Sequence, residues 1–352
     1  KLLSKIYYFF QRPGKKDNPT DLSESLIKML QHETRKFIHE NPEFSEPANP
    51  SRQTLPTNGK NPWHCNEDRW FEFVNGIANK VMNHSAGHLM DHLSGADVFN
   101  IFHTLGSSGG LYAVLAPYFV AYSLFSSDQH LTRRVLDRFK PQVGTFQNGD
   151  TSQSVAHFTD TFHEVNGVAL TLRQQSLIAH RRAMNLTLMT CYPDQPSLHK
   201  CVRNFEPVGL YHLPEYEEQT LVCPPFLEML DFCYRHRFTQ LHTATPGPVG
   251  LAALGIARLL NLPISGTYHT AIPQYAQALT NDPGITELTW RYTLWYYNQM
   301  DVVYAPSRST RRELINKGID GDKIRVYPRG IDTEQFHPAK RNGFFGKAAE
   351  LE

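Results

Sequence analysis

Asn166 and Gly167 are the residues of this chain whose types and spacing point most directly to chemistry. They close the loop of the run Val155-Ala-His-Phe-Thr-Asp-Thr-Phe-His-Glu-Val-Asn-Gly-Val-Ala-Leu-Thr-Leu172. The run opens on small and apolar residues suited to a buried strand. It breaks at a polar loop from Asp160 to Asn166 and resumes as a helix from Gly167. A glycine has no Cβ, so an anion can approach its backbone closely. The helix that starts there offers unpaired N–H groups and the positive end of its dipole to a phosphate, and Asn166 is a suitable cap. Only one glycine marks the turn and no G-x-G-x-x-G is present, so an ordinary strand–turn–helix fits this stretch equally well.

A second candidate is His269, at the end of Ile264-Ser-Gly-Thr-Tyr-His269. At a strand's carboxyl end an imidazole faces the crevice of an open α/β sheet. There it can hydrogen-bond a sugar hydroxyl or offset developing charge. A third group is His84, His88 and His92, with Asp91 among them. Histidines four apart share one helix face, the spacing of a zinc-binding pair. Further ligands do not stand out beyond His103 and Asp128, so the favoured reading is histidines near a helix end, and no metal is expected.

These residues need elements to hold them. Residues 1–150 read as mainly helical. One helix covers 21–40, with Leu22, Leu26, Ile27, Leu30, Phe37 and Ile38 at near-helical spacing. A Pro-rich stretch over 41–63 separates it from a second, whose face is Trp70, Phe71, Val74, Ala78, Val81 and Met82. The apolar run Leu111–Phe125 is shorter than the ~20 residues of a spanning helix, and Pro117 interrupts it. It reads as a kinked core helix or a helix hairpin, with monotopic membrane contact as the alternative. A separate helix is predicted over 129–139. The polar stretch 141–152 marks a domain boundary.

From residue 154 the pattern alternates. Strands are predicted at 154–159, 185–191, 207–212, 239–243, 264–269, 301–305 and 323–327. Helices are predicted at 167–182, 225–236, 249–260, 273–280, 286–299 and 308–317. That order implies a parallel sheet with helices on both faces and a ligand beyond the strands' carboxyl ends. The tips are Asn166-Gly167, Thr243 to Gly247, His269-Thr270, Ser307 and Arg329-Gly330.

A net charge of +1 gives no global reason to expect nucleic acid. The basic clusters His180-Arg181-Arg182, Arg235-His236-Arg237 and Arg311-Arg312 read as solvated surface. Five cysteines without a C-x-x-C pair argue against a disulfide framework and fit a reducing, cytoplasmic setting. The first residue is Lys1, so the expectation is a fragment of a longer protein. The tail over 343–352 carries no usable pattern.

Four motifs in order complete the reading: Thr159–Leu172, Gly266-Thr-Tyr-His-Thr270, Ala305-Pro-Ser-Arg-Ser-Thr310 and Tyr327-Pro-Arg-Gly-Ile-Asp-Thr-Glu-Gln-Phe-His-Pro338. Together they resemble the N-terminal, acceptor-side Rossmann-like domain of a family 4 glycosyltransferase with the GT-B fold. The nearest subgroup holds sulfoquinovosyl-diacylglycerol synthases and GDP-mannose-dependent α-mannosyltransferases. The resemblance implies retaining transfer of a hexose from a UDP- or GDP-sugar to a lipid or glycan hydroxyl, with no required cofactor. It places Asn166, Gly167 and Val168 at the donor diphosphate and His269 beside the donor sugar as the catalytic candidate. Thr270, Ser307, Arg329 and Gly330 complete the expected donor side, with Pro328 to Gly330 leading to the interdomain hinge. The family's second domain, with its pair of glutamates, is not present in this sequence. The chain alone is therefore expected to bind a donor weakly and turn nothing over.

The resemblance covers 151–342 and leaves 1–150 as the expected end of an upstream module. A nucleotide-sugar 2-epimerase of the same architecture and a non-catalytic binding module are the competing readings. The aromatic segment Ile285–Asn298 also has two readings. With Arg182, Arg235 and Arg237 it could rest on an anionic membrane. The favoured alternative makes Trp290, Leu294 and Tyr297 the core face of a helix.

Overall fold

The computed structural model describes residues 20–41, 62–95, 109–139, 153–195, 201–213, 216–328, 330, 333–334, 336–341 and 343. Three helices come first: α1 (Thr20–Glu40), α2 (Pro62–Gly95) and α3 (Gly109–Phe139). The α/β part follows as β1 (Val155–Phe158), α4 (Gly167–Arg181), β2 (Leu186–Cys191), β3 (Val202–Phe205), β4 (Gly209–Leu213) and β5 (Tyr216–Cys223). It continues through α5 (Phe226–Arg235), β6 (Gln240–Thr243), α6 (Pro248–Leu259), β7 (Ile264–Thr267), α7 (Ile272–Thr280) and α8 (Pro283–Asn298). β8 (Val302–Ala305), α9 (Arg308–Lys317) and β9 (Ile324–Val326) complete it.

Seven strands form one parallel sheet in the order β3-β2-β1-β6-β7-β8-β9. The order reverses direction beside β1, which is where a Rossmann-like sheet opens its crevice. α4 lies on one face, where Val168 and Leu172 pack with Leu188 and Val202. Residues of α5, α6, α8 and α9 pack with the alternate residues of the strands, among them Phe158, Leu241, Ile264 and Val303. Helices thus lie on both faces, as the alternating sequence pattern requires.

Two expectations are corrected. The strand predicted at 207–212 does not join the parallel sheet. β4 pairs antiparallel with β5 in a separate two-stranded sheet. No helix lies between β4 and β5, so the chain turns back in a hairpin, whereas parallel pairing needs a crossover. The edge strand β3 was not anticipated, because Arg203 and Asn204 interrupt its apolar character. It pairs with β2 alone, through Leu188↔Val202 to Cys191↔Phe205. The second correction concerns 111–139. It forms one helix with Pro117 inside it, so the single helix holds over the hairpin, and the separate helix expected over 129–139 is its continuation.

The early helices share the sheet's core. Val74 and Ala78 of α2 and Leu115 of α3 are buried in the same cluster as Phe158, Leu227 and Leu241. α3 is tied down by Tyr122 Oη donating to Asp231 (2.7 Å) and Ser126 Oγ donating to the Leu260 carbonyl (2.6 Å). α2 meets the hairpin where Tyr211 Oη donates to the Asn83 carbonyl at 2.6 Å. α1 joins α2 through the stacked rings of Phe37 and Phe73 at 4.0 Å and the Lys80–Glu33 ion pair at 2.6 Å. Among the described residues, no helix is long and apolar enough to cross a membrane.

Candidate active site

A cleft of about 680 Å³ opens at the carboxyl ends of β1, β6 and β7. Three helix N-termini, those of α4, α6 and α7, reach it through Gly167, Pro248 and Ile272. Each brings the positive end of a dipole to the same space, though Pro248 at α6 and Pro273 at α7 carry no N–H and Ile272 N already donates to the Thr270 carbonyl.

Asn166 sets the first of them. Its Oδ1 accepts from Ala169 N at 2.8 Å, which caps α4, and its Nδ2 donates to Glu164 Oε2 at 2.7 Å. Arg173, one turn and a half into α4, reaches back over the loop. Its Nε donates to the Phe162 carbonyl (3.1 Å) and its Nη2 to the Glu164 carbonyl (3.2 Å). The loop from Asp160 to Asn166 is thus clamped by the helix it introduces. Gly167 is exposed at that helix start, while the Val168 side chain is buried in the core beneath it.

Asp160 sets the second. Its Oδ1 accepts from Val249 N at 2.8 Å, and its Oδ2 accepts from Thr245 Oγ1 at 2.7 Å. The same hydroxyl accepts from Asp160 N at 3.0 Å. This carboxylate therefore already occupies the N-terminus of α6. A Cβ on Gly247 would lie 2.5 Å from Asp160 Cγ, so the approach requires glycine there. Enclosure raises Asp160 above the usual carboxylate range, against the opposing pull of Thr245 and the backbone N–H groups. Burial, reinforced by the charge of Asp160, also raises Glu164.

His269 and Thr270 line the same cleft, beyond the tip of β7. The turn is fixed by His269 N donating to the Thr267 carbonyl at 3.0 Å. α8 braces both strand tips from below with three tyrosine hydroxyls. Tyr292 donates to the Pro246 carbonyl (2.5 Å), Tyr296 to the Thr245 carbonyl (3.2 Å) and Tyr297 to the Thr267 carbonyl (3.1 Å). Sequence reading took the aromatics of 285–298 as core or membrane surface. Trp290, Tyr296 and Tyr297 are buried, so the core reading holds for that face. The hydroxyls were the overlooked signal, since a buried tyrosine needs a hydrogen-bond partner.

The structure gathers Asn166, Gly167, Val168, His269 and Thr270 around one cleft, and Asp160, Glu164, Thr245 and Gly247 join them. Ser307 lies outside the residues that line it. Its Oγ accepts from Thr310 N at 3.0 Å and caps α9. Gly330 is exposed and does not line the cleft, and Arg329 falls outside the described residues. His84 sits on α2, whereas the side chains of His88 and His92 fall outside the described residues. Among the described residues, no group of three His, Cys, Asp or Glu is placed to hold a metal ion.

Against this geometry, the model of Glycosyltransferase Family 4 matches residues 165–335. That stretch, just under half of the chain, is similar to glycosyltransferase family 4. A sulfoquinovosyl transferase of Arabidopsis thaliana is 29% identical over 29% of this chain and 20% of its own. An alpha-monoglucosyldiacylglycerol synthase of Streptococcus pneumoniae is 25% identical over 51% of this chain and 41% of its own. A GDP-mannose-dependent alpha-mannosyltransferase of Mycobacterium tuberculosis is 27% identical over 51% of this chain and 47% of its own. The chain therefore spans less than half the length of each of these relatives. The family match begins at Val165, so the Asn166–Gly167 turn and the His269 tip both fall inside it.

Behind the cleft, His157 of β1 is 6% exposed and its Nε2 has no hydrogen-bond partner. Burial, with the nearby His242 and His269, holds it well below the usual imidazole range. The folded protein thus keeps His157 neutral where the unfolded chain binds a proton. Its contribution is fully present above about pH 6.5 and is lost as pH falls below it, by about 1.4 kcal/mol per pH unit per proton at most. The raised carboxylates slope the other way, so the comparison must be with a variant. Between about pH 7 and pH 5, wild type should lose more melting temperature than His157→Phe. Equal losses would place the titrating group elsewhere.

Proposed function

We propose that this chain is the acceptor-side half of a retaining glycosyltransferase that moves a hexose from a nucleotide-sugar to a hydroxyl of a lipid or glycan. The observation that carries the proposal is the shared cleft: the Asn166–Gly167 helix start and the His269 tip line one cavity. The α6 N-terminus is already neutralised by Asp160, so the donor diphosphate goes to the N–H groups of Gly167 and Val168. His269 then lies where the sugar follows the phosphates and hydrogen-bonds it as charge builds on the breaking bond. The relatives named for GDP-mannose and for diacylglycerol products support a nucleotide-sugar donor and a lipid acceptor.

The rim of the cleft supports the lipid over the glycan. Tyr275 lines the cleft and is 60% exposed, and Leu279, Leu288 and Trp295 are exposed on the same packed helix pair, α7 and α8. Tyr275 at the cleft, with exposed apolar side chains elsewhere on the same helix pair, suits an acceptor held at a bilayer surface, with the protein peripheral to it.

The test is nucleotide binding followed by NMR on the chain. UDP or GDP should shift the amide signals of Gly167 and Val168. Gly167→Val, whose side chain stands in the phosphate's approach, should weaken that binding at least about tenfold. Shifts confined to residues remote from the cleft, or unchanged affinity in the variant, would defeat the proposal.

A further inference from the structure

The sheet face opposite α6 carries a polar row that the reading above leaves unused. His157 on β1 is the register partner of His242 on β6, and His242 is the partner of Ser265 on β7. Thr267, two residues on, falls on the same side by strand alternation. Parallel strands ordinarily carry Val, Ile or Leu at such positions.

His242 bridges two hydroxyls on β7. Its Nδ1 is 2.8 Å from Ser265 Oγ and its Nε2 is 2.8 Å from Thr267 Oγ1. Ser265 Oγ also accepts from Gln240 Nε2 at 3.2 Å and donates toward the Leu241 carbonyl at 3.5 Å. The arrangement that satisfies every one of these contacts gives the serine proton to the carbonyl, which only accepts, although at 3.5 Å that bond is weak. Ser265 Oγ must then accept from His242, which puts the imidazole's single N–H on Nδ1. Nε2 is left bare, and it takes the proton of the Thr267 hydroxyl.

We propose that His242 is a positioning residue for His269: as its Nδ1–H tautomer it fixes Thr267, the residue from which the His269 turn departs. The proposal rests on the reading of His269 as the residue beside the donor sugar. Thr267 is held from two directions. His242 takes its side chain, and Tyr297 Oη donates to its carbonyl at 3.1 Å. That same carbonyl accepts His269 N at 3.0 Å and so closes the turn. His157 stands edge-on to His242, with ring centroids 4.3 Å apart and planes at 82°, and keeps the imidazole from swinging off Thr267.

The experiment is ring-nitrogen NMR on the chain with ¹⁵N-labelled histidine. In wild type, His242 should show a protonated Nδ1 and a bare Nε2. Thr267→Val keeps the side-chain shape and removes the hydroxyl. It should move the His242 Nε2 signal and also shift and broaden the His269 ring signals. Thr267→Ser restores the hydroxyl and should restore both. Melting curves of the same samples separate loss of position from loss of fold. A protonated His242 Nε2 in wild type overturns the proposal whatever the variants do, and so does an unmoved His269 in folded Thr267→Val. Whether UDP or GDP perturbs the cleft is read separately from the same samples, so the sugar-transfer reading stands or falls on its own.

Discussion

Gly250→Ala is expected to lower the chain's stability by about 3 kcal/mol or more, roughly 10 °C in melting temperature. Gly250 is the third residue of α6, at the point where the helix leaves the β6 tip. A Cβ there would run into the Thr245 carbonyl oxygen, with Tyr296 Oη at 2.5 Å and Thr243 Oγ1 at 2.9 Å. The obstacle is backbone and a braced hydroxyl, so neither side can yield cheaply. The first turn of α6 must lift, and the hydrogen bond from Val249 N to Asp160 is lost with it. Gly76→Ala is the control, because a Cβ on Gly76 meets nothing within 4 Å. That substitution should be neutral or stabilise the helix by about 0.5–1 kcal/mol. If Gly250→Ala melted within a degree or so of wild type, α6 could not sit as close to the strand tip as described.

Removing residues 1–152 should have a still larger effect. Val74, Ala78 and Leu115 are buried in the cluster that covers the α5 and α6 face, with Phe71, Tyr118, Phe119 and Tyr122 packed around them. Exposing that surface costs on the order of 5 kcal/mol or more, a large share of what holds a domain folded. The Asp231 and Leu260 partners of Tyr122 and Ser126 lose their hydrogen bonds as well. Residues 153–343 alone should aggregate or give a loosely packed state that binds a hydrophobic dye and melts without a sharp transition. A monomeric fragment with a cooperative melt near that of the whole chain would show the early helices to be dispensable. The site depends on them too. β5 supplies Leu221 and Val222 to the cleft, and its partner β4 is fastened to α2 through Tyr211 and Asn83.

The legible part of the site was its strand tips. Gly167 and His269 announce themselves because small or polar residues end apolar runs there, and the carboxyl ends of parallel strands converge. Asp160 lay in the same loop but gave no signal of its own. Its partners Thr245 and Val249 are about 85 residues away, at a separation that local periodicity does not report. The hydroxyl brace from α8 was hidden in the same way. Tyr292, Tyr296 and Tyr297 look like bulk apolar residues until the carbonyls they reach are known. Ser307 went the other way: at a strand tip it was counted with the donor side, whereas here its hydroxyl is spent on capping α9.

The amino-acid order by itself determined the alternation of short apolar strands with helices, the strand–loop–helix at Asn166–Gly167 and the motifs that resemble those of family 4. These are local properties, set by side-chain period, chain-breaking residues and capping within a few positions. Tertiary structure alone decided that residues 207–223 fold back as a hairpin and that the early helices share the sheet's core. It also decided that Asp160 fills one helix N-terminus and leaves another open. Each of those outcomes depends on which distant surfaces meet, because burial and buried hydrogen bonds reward contacts in space irrespective of their distance along the chain.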